Sequence, residues 1–335
     1  MKNIIFFMVC LVPFSIFGQN EVKDLIQEGV ALHDAGKYEE AISIYKKALD
    51  LDKNSSQILY EIGFSYFMNK EYKKSVKHMD KVLKNENAFL VEAFTIKGSA
   101  LDNLGKPKEA IKIYNEAISK FPENYLLYYN VALTQYRTSK FNDAEENLKK
   151  GILLNPTHAS SNYLLGIIMD HQGKRIQSLL ATHFFLLIEP NTERSVGALN
   201  LLDNLMNQGV SKKDEKTINV TINDSELDNE FSAANLMLSL MGVSGMTEGE
   251  EGKSKAVLFY ENTESIFNVL KELAEKDPKK GIWWEFYVDF YSQLVESENM
   301  EAYSYYISQS NGAEEEKWLT ENKEKVDELF KWLNE

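Results

Sequence analysis

Two carboxylates four residues apart, Glu285 and Asp289, are the nearest approach in this sequence to an acid–base pair. On a helix that spacing puts both on one face, and paired carboxylates can move protons during hydrolysis. Gln293 and Glu296 extend the same face, and aromatic residues fill the rest of the segment. That pattern describes one solvated stripe on a helix buried on its other sides, not a catalytic pair. Asp224, Glu226 and Asp228 open like a calcium loop, but Asn229 stands where the turn needs glycine and Asn235 where it needs a bidentate Glu. The three acids are better suited to a helix N-terminus. Gly242, Gly245, Gly249 and Gly252 lack the Lys-Ser/Thr of a phosphate loop, and Glu248, Glu250 and Glu251 would repel the anion. The five histidines include no HExxH pair; His171 and His183 are twelve apart, and His158 follows a proline turn. No Ser-His-Asp order and no GxSxG stands out. No catalytic residue, metal ligand or cofactor is expected.

The elements that carry these residues differ along the chain. Residues 1–191 hold 23 Lys and Arg against 22 Asp and Glu, whereas residues 192–335 hold 14 against 29. An acidic C-terminal surface disfavours nucleic acid and anionic lipid as partners. At the N-terminus Lys2 precedes an apolar run from Ile4 to Phe17, and Gly18 offers a small residue before a cut ahead of Gln19. This predicts a signal peptide over 1–18, too short to span a bilayer, and an exported protein, periplasmic, surface-located or secreted. Cys10, the single cysteine, falls within that segment, so a mature chain would have no thiol. No later run is apolar and long enough for a membrane span.

Self-similarity is the strongest signal. Gly29, Gly63, Gly98, Ala132 and Gly166 recur at steps of 34, 35, 34 and 34. Ala41, Ser75, Ala110, Ala144 and Ser178 keep the same steps, as do Lys53, Asn87, Pro122, Pro156 and Pro190. Each unit carries two helix-period apolar stripes; in the third, Phe94, Gly98 and Leu101 mark one helix and Ala110, Tyr114 and Ala117 the next. Small residues let paired helices approach, and proline ends a pair. Leu90 is a one-residue insertion between the second and third units.

Ala35 to Leu51 (AGKYEEAISIYKKALDL) and the matching positions of the other units resemble the tetratricopeptide-repeat (TPR) family over about residues 22–192. The resemblance implies an all-α superhelical solenoid of five helix pairs, residues 22–55, 56–89, 91–124, 125–158 and 159–192. A closing helix at 193–207 would complete an array over 22–209. The first helix of each pair would line a concave groove. Its groove-facing positions here are Ile26, Val30 and His33; Tyr60, Phe64 and Phe67; Thr95, Ser99 and Asp102; Tyr129, Leu133 and Tyr136; Tyr163, Ile167 and Asp170. Some members hold a partner's C-terminal carboxylate with Lys and Asn where this chain has Ile26 and Val30. The expected groove is therefore aromatic and apolar: Tyr60, Phe64, Phe67, Tyr129, Leu133, Tyr136, Tyr163 and Ile167, suited to an apolar or aromatic segment of another protein or peptide.

Residues 210–335 read as an acidic, aromatic-rich helical region. Gly209 to Lys216 reads as a polar linker, and Ile218, Val220 and Ile222 alternate like a strand without an evident partner. Helices are expected at 226–241, 254–276, 282–297, 300–309 and 314–333. All four tryptophans, Trp283, Trp284, Trp318 and Trp332, lie here. They fit helix packing better than a sugar platform. The leading reading is a non-enzymatic exported interaction scaffold. The alternative is an envelope-associated enzyme or glycan-binding protein whose working part is the C-terminal region, which would need a polar pocket around Glu285 or Asp289.

Overall fold

The computed structural model describes residues 14–85, 88–212, 218–221, 229–244 and 253–335. Most of the signal segment, Cys10, Asn87, Ile222, the calcium-like acids Asp224, Glu226 and Asp228, and the loop residues from Gly245 to Gly252 lie outside the described residues. The chain divides into two compact units, one up to Thr138 and one from Ser139.

The first unit is seven helices: α1 (Phe14–Asp34), α2 (Tyr38–Leu51), α3 (Ser56–Met68), α4 (Tyr72–Asn85), α5 (Leu90–Asn103), α6 (Pro107–Lys120) and α7 (Tyr125–Arg137). Each packs on the next, and α1 and α3, α3 and α5, and α5 and α7 also touch. Ser55 and Asn124 cap α3 and α7, their side chains accepting from Ile58 N and Leu126 N. The repeated small residue is explained at the pair contact. A Cβ on Gly29 would lie 2.3 Å from the Tyr45 ring, and one on Gly98 would lie 2.4 Å from Cζ of Tyr114. At Gly63 the nearest atom is the terminal methyl of Met79, at 2.5 Å. Met can swing away, whereas Tyr114 is pinned by its hydroxyl's contact with Ser99, at 2.9 Å. Gly98→Leu is therefore expected to cost about 3 kcal/mol or more, and Gly63→Leu nearer 1 kcal/mol. Urea denaturation of both variants measures the gap; equal losses would contradict this packing.

The second unit contains α8 (Phe141–Leu154), α9 (Ala159–His171), α10 (Arg175–Ile188) and α11 (Glu193–Asn207). A two-stranded sheet of β1 (Val210–Lys212) and β2 (Ile218–Val220) follows, then α12 (Ser232–Ser244) and α13 (Lys255–Lys276). A π-helical turn over Trp283–Val288 leads into α14 (Asp289–Glu296), α15 (Met300–Ile307), a 3-10 turn at Gln309–Asn311, α16 (Ala313–Glu321) and α17 (Lys323–Leu333). The strand read at Ile218 does have a partner, inside the segment read as a linker: Val210 pairs with Val220 and Lys212 with Ile218, antiparallel. Gly209 makes the approach possible, with φ +79° and no room for a Cβ, which would meet Thr221 O at 2.2 Å. The helix expected over 314–333 is two helices, broken at Asn322, whose amide side chain donates to Trp318 O. The helix expected over 282–297 begins as a π turn that buries Trp283, Trp284, Tyr287 and Val288.

The core of this unit is α10, buried at every residue from Arg175 to Leu186. The π turn, α12 and α15 all pack against it. Phe184 meets Phe286 at 5.0 Å and Phe290 at 5.2 Å, and the Tyr291 hydroxyl donates to Leu180 O at 3.0 Å. The Tyr287 hydroxyl donates to Asn162 on α9 at 2.6 Å. The aromatic helices after residue 210 thus share one core with α9, α10 and α11.

Candidate functional site

The α3 residues named from the repeat register, Tyr60, Phe64 and Phe67, are all half-buried. Their four- and three-residue spacing puts them on one helix face. They belong to a longer row of rings. His33 on α1 stacks on Phe64 at 4.7 Å and meets the edge of Tyr38 at 5.1 Å. Tyr60 stacks on Phe64 at 5.9 Å and on Phe89 at 5.1 Å. Phe67 turns to Tyr72 at 5.6 Å. Tyr38 and Phe89 were not among the residues the sequence picked out. Phe89 holds φ +62°, a left-handed conformation that costs an aromatic residue about 1–2 kcal/mol. It directly precedes the inserted Leu90, so the extra residue in the repeat coincides with the ring that lengthens the row.

Tyr129, Leu133 and Tyr136 on α7 are likewise half-buried. Between α3 and α7 stands α5, whose corresponding residues are polar and already engaged. Ser99 shares a hydrogen bond with the Tyr114 hydroxyl, and Asp102 accepts from Thr134 Oγ1 at 3.2 Å and Arg137 Nη1 at 2.9 Å. In the second unit Ile167 is half-buried. Tyr163 packs within its own unit, 4.7 Å from Phe185 and beneath the Arg194 guanidinium at 5.5 Å.

Electrostatics in the first unit are uneven. Burial, then the nearby charges of Glu61 and Glu92, push the Tyr60 phenol up to about 12. Burial, then the charge of Asp34, holds the Glu61 carboxyl above the usual carboxylate range. Burial holds His33 below the ordinary histidine value, and its Nδ1 lies 2.8 Å from Ser65 Oγ.

Glu285 and Asp289 line neither of two clefts in the second unit, of about 910 and 510 Å³. Glu285 is exposed and accepts from Gly281 N at 2.7 Å; Asp289 is exposed and accepts from Gln293 Nε2 at 2.7 Å. The tryptophans pack: Trp284 stacks on Phe231 at 4.7 Å, and Trp318 on Tyr305 at 4.3 Å. An open cleft of about 910 Å³ is lined by Asn200, Asp203, Lys255, Asn262 and Glu314 among others, and by none of the tryptophans, Glu285 or Asp289. Among the described residues no three His, Cys, Asp or Glu cluster as metal ligands, and no helix is long and apolar enough to cross a membrane.

A TPR repeat family model matches residues 29–70, and a tetratricopeptide-repeat model matches residues 91–124. A TPR repeat-containing protein of Methanocaldococcus jannaschii is 31% identical over 35% of this chain and 20% of its own length. The BBSome complex member BBS4 homolog of Drosophila melanogaster is 26% identical over 39% of this chain and 27% of its own length. The chain thus spans between a fifth and about a quarter of these relatives. Among solved structures, PilF of Pseudomonas aeruginosa is similar at 18% identity and a TM-score of 0.46, over 57% of this chain and 90% of that one. Tetratricopeptide repeats indicate a protein–protein interaction scaffold, and such scaffolds are typically not enzymes. Repeats that keep this period along the sequence, fold as successive packed helices and match these models over residues 29–70 and 91–124 identify tetratricopeptide repeats in this chain.

Proposed function

We propose that this protein is an exported, non-enzymatic scaffold that holds an apolar or aromatic segment of another protein on the inner positions of its repeats. The observation that carries this reading is the half-buried ring row from Tyr38 through His33, Phe64 and Tyr60 to Phe89. Rings stacked side by side are rigid and lose little side-chain entropy when a partner covers them. The groove residues of the proposal are Tyr60, Phe64, Phe67, Tyr129, Leu133 and Tyr136, with Tyr163 and Ile167 in the second unit. Export rests on the short apolar segment ahead of Gln19.

The partner is first recovered by pull-down with the mature protein and then titrated. Truncating Phe64 or Tyr136 to Ala is expected to weaken its binding by about 2 kcal/mol or more, roughly thirtyfold, as buried aromatic anchors do. A melt on each variant separates lost binding from lost fold. Normal stability with normal binding would move the working surface away from these positions. Intact mass of the protein recovered from its host tests export: loss of residues 1–18 supports it, and a full-length cytosolic chain overturns it.

A further inference from the structure

The solvent-facing side of α4 carries a single kind of group. Its exposed residues are Lys73, Lys74, Lys77, Lys81 and Lys84, while Ser75, Met79 and Val82 are buried on the other side. The equivalent helices of the flanking repeats mix both signs. Helix α2 exposes Glu39, Glu40 and Asp50 beside Lys46 and Lys47, and α6 exposes Glu109 and Glu116 beside Lys108 and Lys112. Lysines three and four residues apart are neighbours on a helix and repel one another. A mixed face would serve solubility without that repulsion.

Two acids, Glu71 and Asp80, lie within this stretch of sequence, and both are engaged. Glu71 pairs with Lys74, and Asp80 pairs with Lys97 of α5 at 2.7 Å. Among the described residues Lys73, Lys77, Lys81 and Lys84 make no ion pair. A second helix adds to the same surface. Lys46 Nζ of α2 stands 5.9 Å from the centre of the Tyr66 ring and Lys74 Nζ 5.1 Å from it, with the His78 ring at 5.3 Å. Burial, and beyond it the charges of Lys81, Lys46 and Lys77, hold His78 below the ordinary histidine value.

We infer that the exposed face of α4, joined by Lys46, docks an acidic segment of a partner protein, a run of Asp or Glu side chains. The row from Lys73 to Lys84 is about 16 Å long and advances in steps of about 5–6 Å. Acids three and four residues apart on a helix keep that step, and acids at every second residue of an extended segment, about 7 Å apart, come near it. An ammonium is a point charge without the fork of a guanidinium, so the row suits a run of carboxylates rather than one fixed acid. Size decides between a peptide and a larger polyanion. The whole chain has a net charge of −14, which repels an anionic membrane or a nucleic-acid duplex that must approach the whole molecule. A short acidic segment meets only the charges within a Debye length, about 8–10 Å, where lysine prevails. None of these residues belongs to the ring row, so the inference stands apart from the groove reading.

The probe is an N-acetylated, amidated hexaglutamate peptide, titrated by NMR into the full chain at low salt, with a glycine–serine hexamer as its uncharged counterpart. The expected result is saturable shifts of α4 and Lys46 amides with hexaglutamate and none with the uncharged peptide. The double variant Lys77→Gln with Lys81→Gln should bind hexaglutamate roughly tenfold more weakly, as loss of two exposed charge contacts does. The variant Lys108→Gln with Lys112→Gln removes the same charge from α6 and should bind within about twofold of the wild type. The α4 variant should melt at the wild-type temperature or above it, because like-charge repulsion has been relieved. Equal losses in the two double variants would show a diffuse attraction and overturn the inference, as would no saturable binding to the wild type. A lowered melting temperature for the α4 variant would assign the row to the fold and overturn it as well. Cosedimentation with phosphatidylglycerol vesicles, or retention of a DNA duplex, that depends on Lys77 and Lys81 would replace the acidic segment with a larger polyanion.

Discussion

Replacing Arg175 by methionine is expected to lower the stability of the second unit by about 3 kcal/mol. Arg175 is 2% exposed and opens α10. Its Nε donates to Leu205 O at 2.6 Å, its Nη2 to Met206 O at 3.2 Å, and its Nη1 to Ser239 Oγ at 3.0 Å. Leu205 and Met206 lie in the last turn of α11, where carbonyls have no amide of their own helix to accept from. That end of the helix also carries partial negative charge, which suits a guanidinium. One side chain therefore ties α10 to the end of α11 and to α12. Methionine keeps most of the aliphatic volume but leaves two carbonyls and a hydroxyl buried without this donor. Each orphaned group costs about 1–3 kcal/mol, and relief from burying a cation offsets part of the sum. Arg175→Lys should be nearly as damaging, because an ammonium cannot reach three acceptors in the geometry of the planar fork. Urea denaturation with an unchanged m-value reads the loss. A methionine variant within about 0.5 kcal/mol of wild type would show that these bonds contribute little net stability.

The repeat register was legible because it is written in side-chain size. Glycine faces tyrosine at Gly29 and Gly98, and the period of 34 follows the contact. The left-handed turn inside each repeat keeps the same steps but is harder to read. Gly36, Gly105 and Gly173 occupy it with φ of 74°, 73° and 68°, whereas Lys70 and Ser139 occupy it at 60° and 57°. Residue type alone hides two of the five. The full burial of α10 had a sequence signature that the repeat template obscured: RIQSLLATHFFLLI is apolar around most of its circumference, which marks a helix covered on all sides. As the second helix of a repeat it would otherwise keep a solvated face. Strand β1 was hidden because Val210–Lys212 is too short to show a period, and its identity comes from the partner strand and from Gly209. Of the groove residues, spacing could place Tyr60, Phe64 and Phe67 on one face. It could not show that Phe89, held at positive φ, brings a further ring onto Tyr60.

The second unit is expected to lose stability on mild acidification through His183. The ring is 0% exposed at the centre of the aromatic core. Phe267 lies 5.2 Å from it, Phe259 5.9 Å, and Tyr291 and Tyr303 6.2 Å each. Its Nδ1 is 3.2 Å from the Tyr303 hydroxyl, and its Nε2 has no partner. Burial without a counter-charge depresses its pKa from 6.5 to about 3. Between those values the unfolded chain binds a proton that the folded chain refuses. The stabilisation tied to neutral His183 is therefore complete above pH 6.5 and drains away as pH falls toward 3. The slope is about 1.4 kcal/mol per pH unit, so roughly 2 kcal/mol is gone by about pH 5. Near pH 4.5 other groups enter: Glu145 and Glu189, held below their ordinary value, add losses of the same sign, and Glu315, held above it, opposes them. The upper part of the window belongs to His183, with a smaller share from half-buried His158, whose pKa is also lowered. His183→Phe keeps an aromatic ring among aromatic neighbours and removes the titrating group. Urea denaturation of both proteins between about pH 7 and 5 should show the wild-type slope reduced by nearly one proton in the variant. Equal slopes would mean that water or a rearranged Tyr303 reaches the imidazolium and that the core around α10 opens far more easily than its packing implies.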